Sequence, residues 1–149
     1  MSEVTDHLAI RLSRSDDLLR VCELLVSSKL PTEGVSDHLP SFFVAEENGT
    51  IVGAMGLEIY GSTGLLRSAA VDSGRRNGGI GSKLYVATVR HAREMGLTSL
   101  VLLTETAERF FRKRGFQRIE RTTISGPVTR SAEFTGACPT SAVCMEMKL

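Results

Sequence analysis

The run Val71-Asp72-Ser73-Gly74-Arg75-Arg76-Asn77-Gly78-Gly79-Ile80-Gly81-Ser82 lies between an apolar strand pattern and a long amphipathic helix pattern. A glycine-rich turn that opens a helix aims several backbone N–H groups at one point, and the positive end of the helix dipole adds to their attraction for an anion. Arg75 and Arg76 bring side-chain charge beside it. The simplest ligand for such a turn is a phosphate or pyrophosphate. A plain tight turn at a helix start is the alternative reading of the same glycines.

Two familiar phosphate loops fit poorly. With Gly79 and Gly81 as the first two glycines of a dinucleotide fingerprint, the third position is Leu84, and no acid stands in the strand that follows. A Walker loop needs Gly-Lys-Ser/Thr, whereas the order here is Gly81-Ser82-Lys83. What remains is Arg76-x-x-Gly79-x-Gly81.

Length and charge narrow the class further. At 149 residues the chain is expected to form one domain, residues 1–149, with room for a core. No stretch is apolar enough to span a bilayer. The start, Met1-Ser2-Glu3-Val4-Thr5-Asp6, lacks a charged-then-apolar signal pattern. A cytoplasmic protein without a membrane partner is the expectation. The net charge of +1 gives no reason to invoke nucleic acid. Three cysteines without a leader argue against a disulfide framework.

Along the chain, Leu8, Ile10 and Leu12 alternate as in a half-buried strand. Ser15 is placed to cap a helix, with Asp16 and Asp17 in its first turn, and Leu18, Val21, Cys22 and Leu25 fall on one helical face. Residues 30–40 read as a loop or short irregular helix. Residues 42–46 and 51–60 read as strands joined through Asn48-Gly49, a hairpin signal because both tolerate positive φ. Glu46 and Glu47 flank that turn and are expected in solvent. From Ile80, the positions Leu84, Ala87, His91 and Met95 recur at helical spacing, and Gly96 is a C-cap candidate. His91 on that stripe reads as a packed edge residue rather than a base. Residues 100–103 form a short apolar run suited to a strand buried on both faces. A helix over 106–114, strands over 116–121 and 142–147, and an irregular stretch over 122–140 complete a mixed α/β pattern.

Three segments together resemble the GCN5-related N-acetyltransferases. They are the loop Arg76-x-x-Gly79-x-Gly81, the preceding strand Leu65-Leu66-Arg67-Ser68-Ala69-Ala70-Val71, and Thr104-Glu105-Thr106-Ala107-Glu108-Arg109-Phe110-Phe111-Arg112-Lys113-Arg114-Gly115-Phe116. The resemblance covers nearly the whole chain. It implies a single-domain, mostly antiparallel mixed sheet with splayed central strands flanked by helices, and acetyl-CoA as co-substrate. Ala69, Ala70 and Val71 would pair with the pantetheine arm through their backbone. Arg76, Asn77, Gly78, Gly79, Ile80, Gly81 and Ser82 would hold the pyrophosphate. Thr104, Ala107 and Phe111 would border the cofactor. Such enzymes are frequently dimeric, so a homodimer is expected.

The implied chemistry is attack of a neutral amine on the thioester. It needs a base for the ammonium proton, donors for the oxyanion, and a route for the leaving thiolate. Glu58 is the candidate base, with a salt bridge to Arg67 across the paired strands as an equally open role. Ser68 is a candidate to position a water or the acceptor. Many members of the family place a tyrosine acid where this chain has Phe111, which cannot donate a proton. Tyr60 and Tyr85 are the other candidates, unless CoA departs unaided.

A narrower resemblance links Gly56-Leu57-Glu58-Ile59-Tyr60-Gly61, Leu65-Leu66-Arg67-Ser68 and Cys138-Pro139-Thr140-Ser141-Ala142 to the arsenic-resistance branch of the family. It implies a small amino compound, amino-acid-like or arsenic-bearing, as acceptor. Arg67 and Arg130 are then candidates for its carboxylate or other anion, because guanidinium forks match such groups. Cys138 and Cys144 raise the idea of arsenite binding, although both also read as buried core residues. His7, His38 and His91 match no zinc spacing, so no metal is expected. A non-catalytic acyl-CoA-binding sensor and a protein N-acetyltransferase stand as alternatives.

Overall fold

The computed structural model describes residues 8–76 and 78–149. Asn77, His7 and the chain start therefore lie outside the described residues. The strands form a mixed, mostly antiparallel sheet. Two compact units divide it: one runs to Gly56 and adds Ser68–Arg90, and the other comprises Leu57–Arg67 and His91–Leu149. The β3–β4 hairpin contributes to both.

In the first unit, β1 (Leu8–Leu12), β2 (Phe42–Glu47) and β3 (Thr50–Tyr60) pair antiparallel, from Leu8↔Glu47 and from Phe42↔Gly56. Asn48 and Gly49 take φ of 52° and 83°, the double positive φ that a two-residue hairpin turn requires. Helix α1 (Leu18–Ser27) buries Val21, Leu24 and Leu25 against Phe42, Val44, Ile51, Ala54 and Ala70. The cap before α1 differs from expectation. Asp17, not Ser15, closes the turn: its carboxylate accepts from the Arg14 backbone N–H at 2.6 Å and from Arg11 at 2.8 Å. The Arg11 guanidinium holds this nearly buried carboxyl below its usual range. Glu46 and Glu47 are likewise not left to solvent, since Arg11 bonds Glu46 at 2.9 Å and Arg75 pairs with Glu47. A short helix α2 (Val35–His38) occupies the predicted irregular stretch.

Helix α3 (Ile80–Glu94) begins as expected but is rotated about its axis from the predicted stripe. Ile80, Leu84, Tyr85, Thr88, Val89 and Ala92 are buried, and Met95 is 54% exposed. Near its start α3 lies close on the sheet: a Cβ at Gly53 would stand 3.0 Å from Leu84 Cδ1 and 3.1 Å from Ile80 Cγ2. Gly53 thus permits the close approach. At the other end Gly96 at φ 80° closes α3, with the Leu97 N–H bonded to the Ala92 carbonyl.

In the second unit, β4 (Thr63–Val71) runs parallel to β5 (Ser99–Thr104) for only three pairs, Thr63↔Ser99 to Leu65↔Val101. Beyond Val101, β5 continues paired with β7 (Val143–Lys148), out to Thr104↔Val143. Strand β6 (Gln117–Ile119) pairs outside β7. This early end of the β4–β5 ladder is the expected splay. Helix α4 spans only Glu108–Arg112, shorter than the predicted 106–114. The Ala107 N–H is taken by Thr104 Oγ1 at 2.9 Å, and Gly115 at φ 107° turns the chain out.

The stretch predicted as irregular is folded and docked. It contains short turns over Arg121–Thr123 and Pro127–Arg130 and a π-turn over Glu133–Ala137. Val128, Ile124 and Phe134 pack on Leu65 and Val101 of β4 and β5. Among the described residues no helix is long and apolar enough to cross a membrane.

Candidate functional site

In the first unit the glycine-rich turn is built by Asp72. Its backbone N–H bonds Val52 O at 2.8 Å, its carbonyl accepts the Arg75 N–H at 2.8 Å, and its carboxylate accepts the Gly74 N–H at 3.2 Å. Arg20 pairs with that carboxylate at 3.3 Å and offsets an acid that would repel a phosphate. Arg75 is committed to Glu47, whereas Arg76 is exposed and donates through Nε to Val71 O at 3.0 Å. Gly79 takes φ 82°, and Lys83 is bonded back to its carbonyl. The amides of Gly79, Ile80, Gly81 and Ser82 therefore belong to the first turn of a 15-residue helix, where the dipole favours an anion. Gly78 and Gly79 are exposed and Ile80 is buried as an anchor.

Just before this turn, Ser68 holds φ 61° inside β4. A non-glycine residue there is strained, by about 1–3 kcal/mol, and such strain collects at functional sites. Ser68 itself is buried at 6% exposure.

In the second unit Glu58 and Arg67 form a buried ion pair, Nη1 to Oε2 at 2.7 Å, with side-chain exposures of 1% and 0%. The salt bridge left open in the sequence is therefore present. Tyr60, two residues along the same face of β3, donates its hydroxyl to Glu58 Oε1. Arg67 Nε also faces Glu133 Oε2 at 3.4 Å, and Glu133 is 3% exposed. The guanidinium is thus shared by two carboxylates. Arg67, a candidate for an acceptor carboxylate, is buried between these two acids. Arg130 stands apart from this network, exposed at the end of the turn Pro127–Arg130.

Sequence reasoning missed Glu133. It lies in a stretch with no periodicity, 66 residues from Arg67, and only the π-turn brings it inward. Thr104 accepts the N–H of Ala107, the N-cap of α4, and Phe111 is a buried ring edge-on to Phe110 and Phe116, with centroids at 5.0 and 5.5 Å. The two tyrosines differ in setting: Tyr60 is partly exposed, and Tyr85 is buried on α3.

Cys138 and Cys144 are both buried, packed with Leu103, and neither is in a disulfide. Burial, reinforced by Glu133, pushes the Cys138 thiol up to about 12, and burial raises Cys144 as well. Both stay protonated at neutral pH, which disfavours the thiolate that arsenite requires. Iodoacetamide at pH 8 is expected to leave both thiols unmodified until the chain is unfolded, and arsenite to leave the melting temperature unchanged. Because the folded values lie above the usual 9.0, this contribution to stability is complete below about pH 9 and is lost between about pH 9 and 12. Melts at pH 8 and 11 check the sign, and rapid native alkylation would contradict it. Among the described residues no group of three or more His, Cys, Asp or Glu could hold a metal ion.

A helix that opens on glycines after a strand with a positive-φ serine, in a mixed and mostly antiparallel sheet, is the architecture of an acyltransferase fold. The chain belongs to the acetyltransferase (GNAT) family, whose model matches residues 12–116, and it is an N-acetyltransferase. An uncharacterized N-acetyltransferase of Chlorobaculum tepidum is 28% identical over 81% of this chain and 76% of its own length. The amino-acid acetyltransferase of Neisseria meningitidis is 24% identical over 85% of this chain. The chain spans only 31% of that relative's length. Among solved structures, N-acetylglutamate synthase from Neisseria gonorrhoeae, complexed with coenzyme A and N-acetyl-glutamate, superposes with TM-score 0.81 at 22% identity. That match covers 99% of this chain and 36% of the other. Rv2747 from Mycobacterium tuberculosis, in a complex that includes CoA, gives TM-score 0.80 at 25% identity over 95% of this chain and 99% of its own.

Proposed function

We propose that the protein transfers the acetyl group of acetyl-CoA to the primary amine of a small, amino-acid-like acceptor. The single observation that carries the acceptor reading is the buried network of the second unit. Two carboxylates, Glu58 and Glu133, converge there on one guanidinium. Glu58 is the base that takes the proton of the acceptor ammonium. The amino-acid acetyltransferases of N. meningitidis and Pseudomonas putida support an amino-acid acceptor. An arsenic-bearing acceptor draws no support from these relatives. Arg130 is the candidate for the acceptor carboxylate.

On the cofactor side, Arg76, Asn77, Gly78, Gly79, Ile80, Gly81 and Ser82 take the pyrophosphate, and the backbone of Ala69, Ala70 and Val71 takes the pantetheine. Thr104, Ala107 and Phe111 line its reactive end. The coenzyme A complexes of the similar structures named above support this side of the reading. The neutral amine attacks the thioester carbon. A backbone N–H near Val71 stabilises the oxyanion, an effect of about 3–4 kcal/mol for one lost donor. CoA leaves as a thiolate, because Phe111 offers no proton.

Saturating acetyl-CoA, at about a hundred times its dissociation constant, should add about 2.7 kcal/mol and raise the melting temperature by about 5–10 °C. Acetyl-CoA consumption with a panel of amino acids and other small amines then tests transfer. A thermal shift with no turnover would favour a binding module, and turnover with peptides alone would favour a protein acetyltransferase. No shift at millimolar acetyl-CoA would overturn the proposal.

A further inference from the structure

We propose that Arg20 sets the affinity for the pyrophosphate of the acetyl donor: from helix α1 it holds and neutralises Asp72, in the turn that leads into α3. The inference rests on the assignment of that turn to the pyrophosphate. Every group it uses belongs to the first unit.

Three successive residues of β3 assemble the device. The Ile51 carbonyl accepts Arg20 Nε at 3.1 Å, and the Val52 carbonyl accepts the Asp72 N–H at 2.8 Å. Gly53 leaves the space that α3 fills, since a Cβ there would stand 3.1 Å from Ile80 Cγ2. One strand segment therefore places the arginine, the acid and the first residue of the helix together. Arg20 Nη2 reaches Asp72 Oδ2 at 3.3 Å, while Asp72 Oδ1 accepts the Gly74 N–H at 3.2 Å. The carboxylate orders the turn through one oxygen and meets the arginine through the other.

That acid works against the cofactor. A helix start attracts an anion through its free amides and its dipole, and a carboxylate in the turn before it opposes both. The other cations of the region are placed differently. Arg75 is paired with Glu47 of β2, Arg76 donates to Val71 O, and Lys83 is exposed on α3. Among the described residues the ion-pair partner of Asp72 is Arg20, which also stands 3.6 Å from Glu23 Oε1 on its own helix. The planar guanidinium engages Ile51 and Asp72 at once through separate nitrogens, which a lysine ammonium cannot reproduce. The two side chains are 35% and 39% exposed, so water screens the pair and its weight falls on ligand affinity by a small factor. A thioester without the pyrophosphate does not meet the Asp72 charge in this way. Arg20 accordingly widens the preference for a CoA thioester over a pantetheine thioester.

The test compares the wild-type chain with Arg20→Met and with Arg20→Met/Asp72→Asn. Calorimetry gives the Kd of CoA, of dephospho-CoA, which keeps the pyrophosphate but lacks the ribose phosphate, and of pantetheine. Steady-state assays give kcat/KM for S-acetylpantetheine, a thioester donor without phosphates. Arg20→Met is expected to weaken CoA and dephospho-CoA alike by about threefold to fivefold, the scale of one partly exposed charge near a helix start. S-acetylpantetheine should not share that loss. The double variant should return both nucleotides to within about twofold of wild type, because asparagine still accepts the Gly74 N–H but carries no charge. An equal loss with S-acetylpantetheine would indicate a damaged fold and would overturn the proposal. A loss that Asp72→Asn does not rescue would overturn it too, as would a loss with CoA but not with dephospho-CoA. Wild-type CoA binding in Arg20→Met would overturn the role of Arg20 and leave the turn's assignment in place. If the wild-type chain bound CoA no more tightly than pantetheine, the assignment of the turn would fail, and the proposal with it.

Discussion

Replacing Arg67 by methionine is expected to destabilise the fold by about 3–5 kcal/mol, the usual cost of stranding buried charge. For a chain of this length that is about 10 °C or more in melting temperature. Arg67 has 0% side-chain exposure and stands between Glu58 and Glu133, at 2.7 and 3.4 Å. Methionine fills much of the volume but removes the guanidinium from between two buried carboxylates. Lysine should recover only part of the loss, since one ammonium cannot present separate N–H groups to both carboxylates as the planar fork does. Adding Glu133→Gln to Arg67→Met should restore several degrees by removing one stranded charge. Thermal melts of the three variants check this. A melting temperature for Arg67→Met within 2 °C of wild type would show that the network is not held as described.

Glu58→Gln should do the opposite: keep the fold and lose the reaction. Glutamine conserves the volume and one acceptor oxygen, and Arg67 keeps Glu133 as its counter-ion. The melting temperature is therefore expected to stay within a few degrees of wild type. Turnover should fall by about 10²-fold to 10⁴-fold, the range for loss of a general base. Because the proton removed belongs to an ammonium, the residual activity should rise with pH as the free amine fraction grows. Its dependence on acetyl-CoA concentration should change little. A Glu58→Gln enzyme with full turnover but a collapsed melting temperature would make Glu58 a structural residue only.

How much of this was legible beforehand follows from the range of the interactions involved. The Asn48-Gly49 hairpin, the Gly96 terminus and the start of α3 at Ile80 were all readable, because each depends on the backbone freedom of one or two adjacent residues. The strand β5 was readable from its continuous apolar run, which suits burial on both faces. Boundaries and faces were less so. Helix α4 came out shorter because Thr104 Oγ1 captures the Ala107 amide. The buried face of α3 runs through Ile80, Leu84, Tyr85, Val89 and Ala92, and Met95, past the end of the helix, is 54% exposed. Asp17 displaced Ser15 as the capping group because Arg11, brought up by strand pairing, fixes its carboxylate.

The sequence by itself determined the local devices: a phosphate-seeking turn, a helix behind it, and a strand carrying Glu58 and Tyr60 on one face. These follow from glycine conformation, helix dipoles and the two-residue period of strands. Only the tertiary structure decided that Glu58 shares its arginine with Glu133. The burial of Cys138 and Cys144 was suggested by the sequence pattern, but the raised thiol of Cys138 beside Glu133 was not. Those outcomes depend on burial and on charges brought together from distant parts of the chain. A carboxylate has one energy in water and another beside a single shared guanidinium, and the order of residues does not specify which it will meet.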